Sequence, residues 1–255
     1  MLFRFLALAL LSVSVLWAET PEEKGLRIAK ELDSANEGFV GEFADLEMVL
    51  INAHGDQVVR KMTNETTETE GDGDRSLSTF LWPADVKDTR MLTWSHKDGE
   101  DDQWLYLPAL KRVKRISSRN KSGAFMGSEF SYEDLGSQEV EEYHYTWLAD
   151  EDYEGRACWK LERVPVSDKS GYSREVGWFD KEYMNPLRIE YFDRKGELLK
   201  IAAFREYRKI ERWWRVTIIE MENVQTKKRS VLTWKDREIG RQFDSSRFAS
   251  DTMVD

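Results

Sequence analysis

The chain has 255 residues and a formal net charge of −10, with 40% apolar and 34% charged residues. This balance indicates one substantial folded domain and excludes an intrinsically disordered chain. The acidic charge also argues against general nucleic-acid binding, because phosphates attract positively charged surfaces.

The first segment, residues 1–18, has the pattern of a secretory signal peptide. Arg4 supplies the positive end, an apolar run extends from Phe5 to Leu16, and Ala18 is a small residue before the cut. The apolar run is too short to span a bilayer comfortably. We therefore expect residues 19–255 to form a single soluble domain that is exported to the periplasm and keeps no stable membrane anchor.

An amphipathic helix is predicted directly after this segment. Thr20 is a hydroxyl N-cap, Pro21 suits the first turn, and Glu22 and Glu23 lie at the positive end of the helix dipole. Apolar residues then recur at a mostly helical spacing, at Leu26, Ile28, Ala29, Leu32 and Ala35.

Strand patterns dominate from residue 42 to residue 238. Apolar and polar residues alternate from Ala44 to Leu50, and similar runs follow, among them 198–210 and 212–224. Short turns join most of them, as antiparallel neighbours require. A short helix is predicted within 244–253. Ten or more strands with one N-terminal helix predict a mainly β (α+β) fold, in which a curved antiparallel sheet wraps around its contents.

The most distinctive segment runs from Gln103 to Leu135. It contains a strand with Trp104 and Tyr106 on one face, a basic run at 111–115, and the apolar pair Phe125-Met126 after a Ser/Asn/Gly loop. An apolar wall, a basic turn and a flexible apolar loop side by side favour a surface that meets an amphipathic partner.

The same segment carries a family resemblance. The pattern W-x-Y-x-P, then basic residues, then S-x-x-F-M-G-S-[DE]-F-[ST]-Y-x-D-L resembles the outer membrane lipoprotein-sorting family, distant relatives of the periplasmic carrier LolA and its receptor LolB. Trp178-Phe179-Asp180, 186–190 and 193–196 fit as well, and Glu129 departs from the Asp expected in most relatives. The resemblance implies an incomplete β-barrel with helices as a lid and an apolar cavity between them.

We expect such a cavity to be lined by aromatic and methionine side chains. An acyl chain offers little except apolar area, and methionine adapts its shape readily. The candidate lining residues are Met48, Trp82, Trp94, Trp104, Tyr106, Phe125, Met126, Phe130, Trp147, Trp178, Tyr191 and Trp214. Ordinary core packing is the alternative for all of them, and the register of the strands decides which ones face the concave side.

The basic run supplies the candidate docking residues Lys111, Arg112, Lys114 and Arg115. They suit anionic lipid headgroups or an acidic face of a membrane transporter. The alternative is that they are solvated residues on a hairpin.

Patterns of catalysis and of metal or cofactor binding are scarce. His54, His96 and His144 show no metal-ligand spacing, and the sequence contains neither a C-x-x-C motif nor a G-x-S-x-G motif. The single cysteine, Cys158, cannot form an internal disulfide and is expected to be a small buried residue. We expect no enzymatic activity, no metal site and no cofactor.

Two hypotheses of function follow. In the first, the chain is a periplasmic carrier or chaperone that binds the acyl chains of lipids or lipoproteins for transfer toward the outer membrane, with an inner-membrane transporter as a candidate partner. In the second, it is a non-catalytic β-scaffold adaptor with a filled interior, whose basic loop docks a membrane protein. A wide apolar space inside the sheet would favour the first hypothesis.

Overall fold

The structure, a computed structural model, describes residues 18–254. The predicted signal peptide, residues 1–18, lies outside this range except for Ala18. Helix α1 spans Pro21–Asn36. The strands are β1 (Gly41–Ile51), β2 (Gln57–Thr67), β3 (Arg75–Trp82), β4 (Arg90–Trp94), β5 (Asp102–Leu107), β6 (Arg112–Ile116), β7 (Tyr143–Tyr153), β8 (Arg156–Pro165), β9 (Tyr172–Asp180), β10 (Asn185–Asp193), β11 (Leu198–Arg205), β12 (Arg208–Ile210), β13 (Trp213–Arg215), β14 (Ile218–Asn223) and β15 (Lys228–Ile239).

Helix α1 begins as predicted. The Thr20 hydroxyl accepts the backbone N–H of Glu23, and the Glu23 carboxylate accepts that of Thr20, so the two residues form a capping box. The buried face, which includes Ile28, packs on β8 and β9. Gly25 allows a close approach to β7, because a Cβ at this position would lie 2.8 Å from the backbone nitrogen of Trp147.

Thirteen strands form one antiparallel sheet in the order β6-β5-β4-β3-β2-β1-β15-β14-β11-β10-β9-β8-β7. Among residues 18–254, the edge strands β6 and β7 do not pair with each other, so the curved sheet is not closed into a barrel. This confirms the predicted fold class: mainly β, with a large antiparallel sheet and an N-terminal helix.

Two predicted elements differ in detail. The runs at 198–210 and 212–224 are each divided in two, because a hairpin of β12 and β13 stands apart from the main sheet. Glu206, between β11 and β12, and Glu211, in the turn between β12 and β13, have φ of 55° and 52°. The predicted C-terminal helix consists of two short 3₁₀ helices, Ser245–Phe248 and Thr252–Val254, with Asp244 as the cap of the first.

One half of the concave side is filled by the connection between β6 and β7. We call residues 117–136 of this connection the plug. Phe125 and Phe130 of the plug are 1% and 5% exposed and pack in one core cluster with Met48 and Phe80. Much of the family pattern is therefore inside the sheet, where it packs against the chain itself, although the sequence favoured a partner surface for this segment.

Polar contacts hold the plug in place. The Lys200 ammonium donates to the Asp134 carboxylate at 2.6 Å and to the carbonyl of Glu129 at 3.2 Å. Both charged side chains are buried, and the Tyr172 hydroxyl donates to the other Asp134 oxygen. A buried ion pair requires such extra hydrogen bonds, because both charges have lost their hydration.

Candidate functional site

The other half of the concave side contains a cavity of about 1120 Å³. Pockets for drug-sized ligands range from roughly 300 to 1,000 Å³, so this space is large for a single domain. Its apolar lining comes from α1, the plug and the sheet and includes Leu32, Phe39, Phe130, Phe179, Ile189, Tyr191, Ala202, Phe204, Ile219, Met221 and Trp234.

The sheet supplies this lining through strand alternation. Ala202 and Phe204 on β11 are two residues apart and therefore point to the same face, as do Ile219 and Met221 on β14. Ala202 pairs directly with Met221 and also with Ile189 on β10, so the apolar positions continue across adjacent strands. The result is a continuous apolar wall.

The rim of the cavity is acidic. Three segments that contribute to the lining, 33–42, 66–74 and 137–140, contain eight acidic residues and neither Lys nor Arg. Lys97 also contributes to the lining, and its ammonium lies 3.9 Å from the Glu37 carboxylate. Glu37, Gly38, Val40 and Glu70 are exposed members of the lining and mark the mouth. The Glu68 carboxylate accepts the backbone N–H groups of Gly38 and Val40, which ties the chain after α1 to the end of β2.

Two rim carboxyls hold their protons more tightly than usual. Burial raises the pKa of Asp74 to about 7, with a further contribution from the charges of Glu139 and Glu68. Burial likewise raises the pKa of Asp33 to about 6, assisted by Glu37 and Glu139. Crowded, partly desolvated acids oppose one another's ionisation.

A cationic pair lies deeper in the lining. Arg215 and Arg237 both contact the Glu42 carboxylate, with Nε to oxygen distances of 3.3 Å and 2.9 Å. Arg215 also donates to the side-chain oxygen of Asn36 at 2.9 Å, which joins the end of α1 to the sheet. Burial lowers the pKa of Arg237, and Glu42 opposes that shift.

The twelve predicted lining residues are distributed over several sites. Phe130 and Tyr191 lie on the lining of the cavity. Met48 and Phe125 are buried in the filled half of the concave side, and Met126 packs against the same cluster. These five share the interior of the sheet.

A second group lies on the opposite face of the sheet or outside it. Trp94, Trp104 and Tyr106 form a cluster that the C-terminal residues Phe248 and Met253 cover. On β5, Leu105 reaches the interior cluster, so its neighbours Trp104 and Tyr106 point away from it.

The last four of the predicted lining residues also lie away from the cavity. They are Trp82, Trp147, Trp178 and Trp214. Trp147 packs beside α1, where the Lys24 ammonium lies 3.4 Å from its ring centroid. Trp178 belongs to a cluster with Cys158, and the ring of Trp214 packs at a tilt against a neighbouring tyrosine ring, 4.4 Å away. Trp82 is exposed at the end of β3. Contact of any of the twelve residues with a ligand stays a prediction.

The four docking candidates are all exposed, in or next to the turn between β5 and β6. Arg115 forms an ion pair with Asp102. For Lys111, Arg112 and Lys114, no carboxylate among residues 18–254 lies within ion-pair distance. Their role in docking stays a prediction.

Sequence reasoning missed several lining residues, of which Phe204, Ile219 and Trp234 are the clearest. A usable signal was present, because Trp234 pairs with Leu46 across β15 and β1, and Leu46 shares a strand face with the predicted lining residue Met48, two residues away. Residues directly opposite each other in an antiparallel pair share a face. The pairing of β15 with β1, at opposite ends of the chain, could not be deduced from local alternation.

Metal-binding groups, reactive thiols and membrane-spanning helices were also sought in the part of the chain that the structure describes. There, no group of three or more His, Cys, Asp and Glu residues is arranged to hold a metal ion. Cys158 is buried, and burial raises the pKa of its thiol to about 11, which keeps it protonated. No helix among residues 18–254 has the length and apolar character needed to cross a membrane.

Comparisons with other proteins give the family. A family model described only as that of an uncharacterized protein matches residues 72–255, and the curated proteins include no match. An outer membrane lipoprotein-sorting protein domain from Vibrio parahaemolyticus is 45% identical, with a TM-score of 0.90 over 92% of this chain and 100% of that one.

Two further structures are similar. A DUF1329 family protein from Desulfovibrio piger is 30% identical, with a TM-score of 0.87 over 92% of this chain and 99% of that one. A LolA superfamily protein from Nitrosomonas europaea is 18% identical, with a TM-score of 0.71 over 89% and 98% of the two chains, and so shares the fold. The chain therefore belongs to the family that contains this outer membrane lipoprotein-sorting protein domain and this DUF1329 protein, and it has the LolA-like fold.

Proposed function

We propose that the chain is a periplasmic carrier that holds the acyl chains of a lipid or lipoprotein in its cavity, without catalysis, for transfer toward the outer membrane. The observation that carries this proposal is the cavity of about 1120 Å³ with a continuous apolar wall. Protein interiors are normally packed to the density of organic crystals, with few voids larger than a water molecule. A cavity of this size can hold a ligand, and its apolar wall favours a hydrocarbon one.

The geometry also suits release. Phe130, Tyr191, Phe204 and Trp234 present apolar and aromatic surface, and the deeper charges of Arg215 and Arg237 are already paired with Glu42. Such a site gains affinity from buried area, at about 25 cal/mol per Å2, and makes few directional contacts that would select one head group. In this proposal the mature chain is residues 19–255, and an inner-membrane transporter or another membrane protein loads it.

The test is binding of a fluorescent fatty acid to the delipidated chain, beside mass spectrometry of lipids extracted after purification from the periplasm. Ile219→Trp places a larger side chain on the lining and should weaken probe binding at least tenfold. Ile218→Trp is the matched control, because Ile218 is the adjacent residue of β14 and points to the other face.

Two results would contradict the carrier. One is a wild-type protein that copurifies with no lipid and binds no probe. The other is an equal loss of probe binding in Ile219→Trp and Ile218→Trp, with both variants folded by circular dichroism. A chain that binds a membrane protein but no lipid would instead support the adaptor.

A further inference from the structure

The register of the strands brings four chain segments to the end of the sheet away from the cavity mouth. Ile51 pairs with Gln57 and with Arg229, Lys61 pairs with Trp82, and the turn after Leu107 returns into β6. We call the segments 52–61, 81–89, 107–114 and 224–229 the basic end. The mouth lies at the opposite ends of these strands, beside 36–40 and 68–72.

The charge of the basic end is opposite to that of the chain. Its four segments contain nine Lys and Arg residues and three Asp residues, in a protein of net charge −10. Lys111, Arg112 and Lys114 are exposed, and so is the second basic turn, Lys227–Arg229. Among residues 18–254, these six cations have no carboxylate within ion-pair distance, so their charges are available to a partner.

Large apolar side chains protrude at the same end. Leu110 is 66% exposed, Trp82 and Val58 are each 51% exposed, and Leu81 is 45% exposed. Leu110 precedes Lys111 in the chain, and Trp82 lies opposite Lys61. Trp and Leu beside Lys and Arg are typical of surfaces that sit at the boundary between lipid headgroups and acyl chains.

We propose that the basic end docks on the surface of an anionic lipid bilayer. The cations of the two basic turns contact headgroup phosphates, while Leu110 and Trp82 enter the interface. A bilayer fits these features better than a protein, because protruding apolar tips need no complementary pocket in a fluid surface. Cations spread over separate turns likewise match a surface of uniform charge.

Docking of this kind also orients the molecule. The acidic mouth is at the far end of the strands from the basic end, so the anionic surface that attracts one repels the other. The docked chain keeps its mouth directed away from the bilayer beneath it. This inference does not depend on whether the cavity holds an acyl chain.

Sedimentation with lipid vesicles tests the proposal. The mature chain should bind vesicles that contain phosphatidylglycerol, bind vesicles of phosphatidylcholine alone much more weakly, and lose affinity as salt is raised. The triple variant Lys111→Gln, Arg112→Gln, Lys114→Gln should weaken binding about 100-fold, at about fivefold for each cation. The control triple Lys30→Gln, Arg208→Gln, Lys209→Gln removes the same charge from exposed residues outside the basic end and should bind normally.

The apolar contribution is tested separately. Leu110→Ser should weaken vesicle binding about tenfold, whereas Val166→Ser, which alters an exposed apolar residue in the turn between β8 and β9, should not. Ile219→Trp should bind vesicles as the wild type does, which separates docking from cavity binding. Equal binding to both vesicle types, or equal losses in the two triple variants, would overturn the proposal. Retention by a solubilised membrane protein without vesicle binding would overturn it in favour of a protein partner.

Discussion

The two halves of the concave side share β10, β11, β14 and β15 but differ in what covers them. The plug fills one half with its own apolar side chains, whereas α1 spans the other half and leaves a cavity. Ile189, Tyr191, Ala202 and Met221 belong to both, because they lie in the packed cluster and on the cavity lining. The apolar surface of these strands thus continues from the filled half into the cavity, and the plug covers only part of it.

The filled half also shows what this surface accepts. Phe125 packs at 5.8 Å from the ring of Phe80 and at 5.9 Å from that of Tyr132, so the chain supplies its own aromatic occupant. That occupant is fixed by a buried ion pair and cannot leave. A ligand in the open half would meet similar walls without such an anchor, which is consistent with reversible binding.

The largest expected effect comes from removing one phenylalanine ring from each half in turn. Phe125→Ala removes a ring from the filled half and should lower the free energy of unfolding by about 3–5 kcal/mol, because the surrounding side chains cannot close the void. Phe204→Ala removes a ring that already borders empty space and should cost less than about 2 kcal/mol. Urea unfolding measures both. Equal losses would mean that the open half is as tightly packed as the filled half.

The second prediction tests the anchor of the plug. Lys200→Met leaves the Asp134 carboxylate buried without its cation and should lower stability by about 3 kcal/mol. Adding Asp134→Leu removes the stranded charge, so the double variant should recover much of the loss. Thermal melts of the three proteins decide this, and a double variant less stable than Lys200→Met would contradict the assignment.

The sequence was sufficient to predict the architecture, but not to predict which side chains of each strand face the interior. Local alternation and the Thr20 capping box depend on near neighbours, so both could be predicted. Trp104 and Leu105 are equally apolar, and only the pairing of β5 and the cover from Phe248 determine which of them faces the interior. A shift of one residue exchanges the faces.

The basic run shows that local sequence also cannot predict which cations form ion pairs. Lys114 and Arg115 are alike in sequence, yet Arg115 meets Asp102 because β6 returns beside β5, whereas Lys114 finds no such partner within the described residues. The acidic mouth was missed for a related reason. Its acids come from segments far apart in the chain, among them Asp33, Asp74 and Glu139, and only the fold brings them together.

The third prediction concerns the mouth, where the backbone is strained. Val40 has φ of 67°, and a β-branched residue in the left-handed region is a clear outlier. Val40→Gly should raise stability by about 1 kcal/mol, because the strain it relieves is larger than the cost of the added flexibility of the unfolded chain. Val58→Gly is the control, since Val58 lies in regular β2 and should lose stability. A loss in both variants would show that the Val40 side chain contributes more than its strain costs.

The smallest expected effect is a pH-dependent change in Tm at the acidic rim. The pKa of Asp74 is about 7 in the folded chain, above its ordinary value of 3.8, so folding favours its protonated form. Its contribution to stability is complete below the unfolded pKa and is lost as the pH rises through 7. Asp74→Asn should therefore raise Tm by about 2–4 °C at pH 8, and this gain should shrink steadily toward pH 4.

Asp72 provides the control for this measurement, because it lies two residues away and behaves in the opposite sense. The hydrogen bond from His96 lowers the pKa of Asp72, so its ionised form is favoured in the folded chain. Asp72→Asn should accordingly give no gain in Tm at pH 8. A gain for Asp74→Asn that is the same at every pH would mean that the substitution acts through packing, and that the rim does not repel charge.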